Sequence, residues 1–323
     1  MKIRSPDFEN NALNKEHLSV RLPPVARAIG DPQPVRLAAW LAGLVLLSLT
    51  IWLLGRLFVP HSLAESVGTI ADTLNSTAFW SGVAVGLLAQ AVDGALGMAY
   101  GVTATTFLLG TGVSPVVASA SVHIAEIFTT GFSGLSHVRF GNVDRRLFTR
   151  LLVPGIIGAV AGACVISWVD GAVFKPFISA YLLIMGGYIL VKAVRRTRAA
   201  AGEPRHVAKL ALFGGFVDAA GGGGWGPVVT SSLLGSGGDP RTTIGSVNFA
   251  EFFLTVSSAA AFALLVGAQT WPIIAGLVLG GLLAAPFAAY LCRRLHPRVL
   301  LGLVGVLITA LSLYNLGNAL IGN

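Results

Sequence analysis

The chain alternates long apolar segments with short polar ones over its 323 residues. Five apolar segments are about as long as a bilayer crossing, which takes roughly 20 residues of helix. They span residues 37–58, 151–169, 177–194, 271–292 and 299–321. One such segment could be a buried helix of a water-soluble core, but five favour a membrane protein. The pattern therefore predicts an all-α polytopic membrane protein.

A second pattern is an internal repeat. Residues 93–130 align with residues 218–255 without a gap, at an offset of 125 positions (218 − 93 = 125). The matched residues that low complexity does not explain are Asp93 and Asp218, Pro115 and Pro240, and Glu126 and Glu251. Two apolar segments follow each unit, so we predict that half of the membrane region is duplicated.

Glycines interrupt an apolar stretch in each copy. Residues 79–110 are too long for one helix and short for two, and Gly94, Gly97 and Gly101 divide them. The second copy has four consecutive glycines at 221–224. Non-helical backbone at membrane depth persists only where protein or a wet cavity satisfies its polar groups. We therefore predict broken or re-entrant helices that mark a cavity.

Composition and charge support this interpretation. Only 11% of the residues are charged, against about 25% in soluble domains. The net charge of +8 comes from short basic tracts beside apolar segments, a distribution that follows the positive-inside rule. A nucleic-acid partner is not expected, because such a partner needs a continuous basic face.

Loop charge also predicts the orientation. The basic tail and the tracts at 139–150, 192–209 and 293–298 are placed in the cytoplasm, whereas linker 61–77, with acidic but no basic residues, is placed outside. The two repeats then run in opposite directions, which is typical of secondary transporters. The predicted parts are a tail (1–35), an extra transmembrane helix with an external linker (36–76), a first repeat (77–195), a basic cytoplasmic linker (196–206) and a second, inverted repeat (207–323).

Four carboxylates fall inside apolar stretches: Asp93, Glu126, Asp218 and Glu251. A charge at the bilayer centre costs about 2.5–3.5 kcal/mol, so symmetric pairs of them indicate a role. One role is proton carriage, which we favour for the two glutamates. The other is anchoring of the broken backbone through its freed N–H groups, which remains equally open for the two aspartates.

His123 precedes Glu126 by three residues, so a helix places both on one face. Its counterpart in the second copy is Asn248. The imidazole could bind substrate or pass a proton, and a purely structural histidine is the alternative. A second His–Glu pair is absent from the sequence, and Cys164 and Cys292 lack metal-ligand spacing. We therefore expect neither a metal nor a cofactor.

Candidates for substrate binding surround the breaks and His123. They are Gln90, Gly97, Tyr100, Thr103, Ser119, Ser121, His123, Trp225, Ser246 and Asn248. In a regular helix only Ser119 and His123 share a face, and Ser121 joins them only if the helix unwinds. Tyr100 and its counterpart Trp225 form either an aromatic gate or a packing contact.

Two helix starts are predicted at Ser114–Pro115 and Asp239–Pro240, each with a capping residue before a proline. These N-termini either offer N–H groups to an anion or are surface caps. Arginine is scarce within the apolar spans. An anion would therefore be held by N–H groups, hydroxyls and His123.

Three motifs, at residues 93–103, 118–126 and 141–144, resemble the TauE/SafE sulfite exporter family. The resemblance covers about residues 79–323 and leaves out residues 1–76. It implies a bacterial inner-membrane permease for sulfite, organosulfonates or related sulfur anions, driven by the proton gradient. The expected function is secondary-active transport, with export favoured, by alternating access.

Two alternatives remain beside the transporter. One is a passive anion channel. The other is a membrane-embedded hydrolase using Ser121 and His123, which Asn248 in the second copy disfavours; we therefore expect no enzyme and no catalytic residue. The expected partners are the anion, protons and the lipid bilayer. The sequence leaves open the exact anion, the coupling ion and the oligomeric state, for which a homodimer is one candidate.

Overall fold

The computed structural model describes residues 33–58, 63–96, 98–194, 206–265, 271–294 and 297–321. The tail up to residue 32, Gly97 and most of the basic linker lie outside these described residues. The helices are α1 Gln33–Phe58, α2 Leu63–Asn75, α3 Thr77–Leu96, α4 Tyr100–Gly110, α5 Pro115–Arg139, α6 Arg145–Trp168, α7 Gly171–Val194, α8 Val207–Gly221, α9 Ser231–Gly235, α10 Pro240–Leu265, α11 Trp271–Arg294 and α12 Pro297–Ile321. A π-helical turn, Trp225–Thr230, directly precedes α9.

The described helices confirm an all-α polytopic membrane protein. Five are long and apolar enough to cross a membrane: Gln33–Ile51, Pro115–Arg139, Arg145–Trp168, Val173–Val194 and Arg241–Leu265. Large apolar side chains cover the outer surface, and Trp168, Val194 and Leu264 are 80%, 81% and 88% exposed. Such a large apolar surface is unfavourable in water, whereas contact with the hydrocarbon tails of lipids is favourable.

The helix boundaries follow the 125-residue offset. Helix α3 ends at Leu96 and α8 at Gly221, and the next helical segments begin at Tyr100 and Trp225. Helices α5 and α10 begin at the matched prolines. The two copies therefore fold into the same succession of elements.

Corresponding helices of the two copies pack antiparallel. Along α5 and α10, the ring of His123 lies 5.8 Å from that of Phe262, and Gly134 packs on Phe249. From the first contact to the second, the residue number rises along α5 and falls along α10, so the two helices run antiparallel. Helices α7 and α12 pack in the same antiparallel way. Two inverted copies would pack in this way, and the inversion itself stays a prediction.

Glycines allow two other helix pairs to approach at backbone distance. A Cβ on Gly276 of α11 would lie 2.9 Å from the backbone nitrogen of Val83 in α3. A Cβ on Gly158 of α6 would lie 2.9 Å from the backbone nitrogen of Phe216 in α8. Lipid supplies no hydrophobic drive for helix association, so close van der Waals packing between small residues takes its place.

Both copies contain the predicted broken helix. The first break includes Met98 and Ala99, between α3 and α4, and Ala99 has φ of 85°. The second covers residues 222–224, where Gly222 and Gly223 have φ of 70° and 142°. The two breaks touch, since a Cβ on Gly101 would lie 2.7 Å from Cα of Gly223. The glycines therefore let the two broken segments cross.

Two predicted features differ in detail from the structure. Much of linker 61–77 is helix α2, whose Ile70 and Leu74 face an apolar cleft between α3, α5 and α11. The starts of α5 and α10 are exposed: Ser114 makes no side-chain capping bond, and Asp239 Oδ2 accepts from the Thr242 N–H at 2.9 Å. Their exposure favours the surface-cap interpretation over the anion-binding one.

Candidate functional site

Asp218 holds the second break together. It lies near the end of α8 and is 2% exposed. Its Oδ1 accepts from the backbone N–H groups of Gly224 at 2.7 Å and Trp225 at 2.9 Å. These N–H groups have no helical partner because the chain breaks here. The carboxylate therefore occupies the positive end of the restarting helix, which is the anchoring geometry considered from the sequence.

Asp93 occupies the equivalent place in the first copy. Its carboxylate accepts a hydrogen bond from the backbone N–H of Tyr100, the first residue of α4. Tyr100 and Trp225 correspond under the offset, so both copies use the same device. The helix ends at the breaks thus already hold carboxylates of the protein itself.

His123 joins the two copies through Asp218. Its Nε2 lies 3.3 Å from Asp218 Oδ2, and its Nδ1 lies 2.8 Å from the carbonyl oxygen of Ser119. A carbonyl only accepts, so Nδ1 carries a proton. The contact between Nε2 and Oδ2 then needs one further proton, held by the imidazole or by the carboxyl group. The pair is therefore a proton-holding unit.

Ser119 supports the histidine from one turn earlier on α5. Its hydroxyl donates to the carbonyl of Ala219 on α8 at 2.6 Å. Helix α5 is regular here, so Ser119 and His123 share a face as predicted from their spacing. Ser121 is buried and has a partner of its own. The histidine is thus positioned by both copies.

The remaining carboxylates gather at the same place. Glu126 is 2% exposed, and its Oε2 is buried without a hydrogen-bond partner among the described residues. Glu251 is half-buried and interacts electrostatically with Glu126, Asp93 and Asp218. The structure therefore brings together all four carboxylates that the sequence singled out.

Several predicted substrate ligands are buried with polar atoms that have no hydrogen-bond partner within the described part of the chain. These atoms are Gln90 Oε1, Thr103 Oγ1 and Asn248 Oδ1. The three side chains are 3%, 2% and 5% exposed. A buried polar atom without a partner costs about 1–3 kcal/mol, and natural proteins retain few of them without a reason. Their unused capacity suits a polar substrate or a proton-carrying solvent chain.

Other predicted ligands have structural partners. Tyr100 Oη donates to the Leu277 carbonyl at 3.3 Å, and Trp225 Nε1 donates to the Val247 carbonyl at 3.2 Å. The Ser246 hydroxyl accepts from the Asp144 N–H at 2.8 Å, so it ties α10 to the start of α6. These contacts favour packing over gating for the aromatic pair.

Three ligand groups of the site could coordinate a metal ion. One atom from each of His123, Glu126 and Asp218 lies within 4.8 Å of the other two. Sequence spacing grouped only His123 with Glu126, because Asp218 belongs to the other repeat. The mixed nitrogen and oxygen set is one that divalent transition metals accept. The expectation that the protein holds no metal stays a prediction.

Sequence reasoning missed several residues at the breaks. The Tyr181 hydroxyl donates to the Gly223 carbonyl at 2.8 Å, and the Thr105 hydroxyl donates to the Gly222 carbonyl. Lys192 Nζ donates to Ser231 Oγ at 2.8 Å. Tyr181 lies in an apolar run without a local signal. Lys192 was assigned to a cytoplasmic basic tract.

An apolar cleft of about 260 Å³ lies beside this cluster but does not contain it. Its lining includes Phe128, Trp271 and Leu282. With so few polar groups, this cleft suits lipid chains better than an anion.

The crossed helix breaks and the buried ionisable cluster define a polytopic membrane protein of the transporter class. The model of the family described as "Sulfite exporter TauE/SafE" matches residues 82–315, more than half of the chain. A relative from Bacillus subtilis (strain 168), the "Probable membrane transporter protein YtnM", is 46% identical over 244 residues, which are 72% of this chain and 81% of the relative. The chain belongs to the TauE/SafE sulfite exporter family, which confirms the resemblance and makes it a membrane transporter. No solved structure matches it.

Proposed function

We propose that the protein is a secondary-active transporter that exports a small sulfur oxyanion, such as sulfite or an organosulfonate, together with the movement of protons. The family match supports the substrate class. The observation that carries the mechanism is the His123–Asp218 contact, in which each repeat supplies one member of a buried, proton-holding pair.

Proton coupling follows from the charges in this cluster. Several buried carboxylates near one another repel unless protons or a cation neutralise them. Glu126 Oε2 is free to accept a proton, and His123 lies on the same face of α5. Protonating the cluster lowers its negative charge, so an anion can approach.

The antiparallel packing of the copies supports alternating access. A site between two inverted repeats can open to either side when the repeats exchange conformations. The broken segments touch at Gly101 and Gly223, and we place the hinge of this exchange at that crossing. The positive-inside rule supports a bacterial inner-membrane protein with its basic tail and its 196–206 linker on the cytoplasmic side.

The test is sulfite flux into proteoliposomes under an imposed pH gradient. Gradient-driven accumulation is expected for the wild type and its loss for Glu126→Gln and His123→Gln. His137→Gln is the matched control, because His137 lies on the same helix but bonds to Asn142. Flux that ignores the gradient would favour a passive anion channel. Unchanged accumulation in both cluster variants would refute this site assignment.

A further inference from the structure

Lys192 brings a cation to both broken segments. It lies in the last turn of α7 and is half-buried. Its Nζ donates to Ser231 Oγ at 2.8 Å and lies 3.5 Å from Met98 Sδ. Met98 belongs to the first break, and Ser231 begins α9 directly after the π-helical turn. The ammonium therefore contacts one side chain at the break of the first repeat and one at the restarted helix of the second.

This ammonium has no counter-charge within the described part of the chain. The partners of Lys192 there are a hydroxyl and a thioether, neither of which carries a charge. An ammonium has three donors, and sulfur is a weak acceptor. Lys192 thus retains both charge and donor capacity for an anion.

The helix ends at the breaks cannot serve this purpose without rearrangement. Asp218 occupies the N–H groups of Gly224 and Trp225, and Asp93 occupies that of Tyr100. Four carboxylates surround that region, so its potential repels an anion. Lys192 is therefore the better-placed cation for first contact.

The two repeats differ at this position. In α12, the side chain that reaches the corresponding place is Asn315, whose amide donates to the Thr106 carbonyl at 2.9 Å. The counterpart of Ser231 is Thr106, whose hydroxyl donates to the Val102 carbonyl at 2.6 Å. Of the two corresponding helices α7 and α12, α7 is therefore the one that brings an ammonium to this place.

We propose that Lys192 and Ser231 form an anion-binding subsite at one end of the transport path, where a sulfite or sulfonate oxygen first contacts the protein. The Lys192 ammonium supplies the charge and a donor, and the Ser231 hydroxyl turns from Met98 Sδ, 3.7 Å away, to the anion. The inference rests on the proposed function, since it assigns the first binding step of that transport.

The experiment measures the binding of sulfite and of sulfoacetate to the purified full-length protein by anaerobic titration calorimetry. Lys192→Met is expected to weaken both affinities about tenfold or more, the usual effect of losing one charged hydrogen bond. Lys192→Arg keeps charge and donors and is expected to retain most of the affinity. Lys209→Met is the matched control, because Lys209 is an exposed lysine of the same basic tract.

The affinity of Ser231→Ala is a second test of the subsite, and it remains available if Lys192→Met does not yield folded protein. It leaves the charge in place and is expected to weaken binding less, in the same direction. Wild-type affinity in both Lys192→Met and Ser231→Ala, or an equal loss in Lys209→Met, overturns the subsite. If the wild-type protein binds neither anion, the proposed substrate class is overturned. This outcome differs from failure of the subsite, in which the wild type binds and the variants bind equally well.

Discussion

Oδ2 of Asp218 lies 3.3 Å from Nε2 of His123, although the two residues are 95 positions apart and belong to different repeats. Oδ1 of the same carboxylate holds the backbone at the second helix break. One side chain thus links the shape of the break to the protonation of the histidine. A proton that arrives at this pair changes the forces on the broken backbone, which is the physical connection that the proposed proton coupling requires.

Asp218→Asn should destabilise the protein more than Asp93→Asn does. Both changes replace a carboxyl group that accepts from backbone N–H groups at a helix break, one for Asp93 and two for Asp218, and among the described residues Asp218 also has a histidine partner. Breaking a buried charge pair costs about 3–5 kcal/mol, whereas losing one charged hydrogen bond costs about 1.5–3 kcal/mol. Thermal unfolding in detergent would show the larger drop in melting temperature for Asp218→Asn. Equal drops would mean that the histidine contact adds nothing to stability.

Much of this cluster could be predicted from the sequence. The fixed offset between the copies identified all four carboxylates, because an acidic residue within an apolar stretch is easily recognised in the sequence. The breaks were predictable because runs of glycine rarely interrupt an apolar helix without a function. Helical spacing alone placed Ser119 and His123 on one face.

The pairing of His123 with Asp218 could not be predicted in the same way. It depends on how two helices from different repeats cross, and no local pattern encodes that crossing. Lys192 was missed because a lysine near a helix end ordinarily reaches for the membrane surface. Its contact with Ser231 appears only once α7 is packed against the broken segments.

Gly223→Ala should disrupt the crossing of the two breaks. Gly223 has φ of 142°, and a Cβ there would collide with the backbone of Gly101 and Val102. Backbone strain and overpacking each cost about 1–3 kcal/mol, so a loss of about 2–6 kcal/mol is expected. The free energy of unfolding, or the yield of folded protein, measures the effect.

Gly187→Ala is the matched control for this change. Gly187 lies inside α7, and a Cβ there meets no atom within 4 Å. Alanine at such a helical position is expected to be neutral or to stabilise by up to about 1 kcal/mol. A Gly223→Ala protein as stable as Gly187→Ala would mean that the breaks do not touch.

Gly158→Val should weaken the contact between α6 and α8 without touching the ionisable cluster. The larger side chain cannot fit against the backbone of Leu212 and Phe216, so the helices must separate. Because small-residue packing replaces the hydrophobic drive in lipid, the separation is expected to cost about 1–3 kcal/mol. Gly302→Val in α12 is the control, since a Cβ at Gly302 meets no atom within 4 Å. Melting temperatures in the same detergent compare the two, and a lower melting temperature for Gly302→Val would contradict the helix pairing.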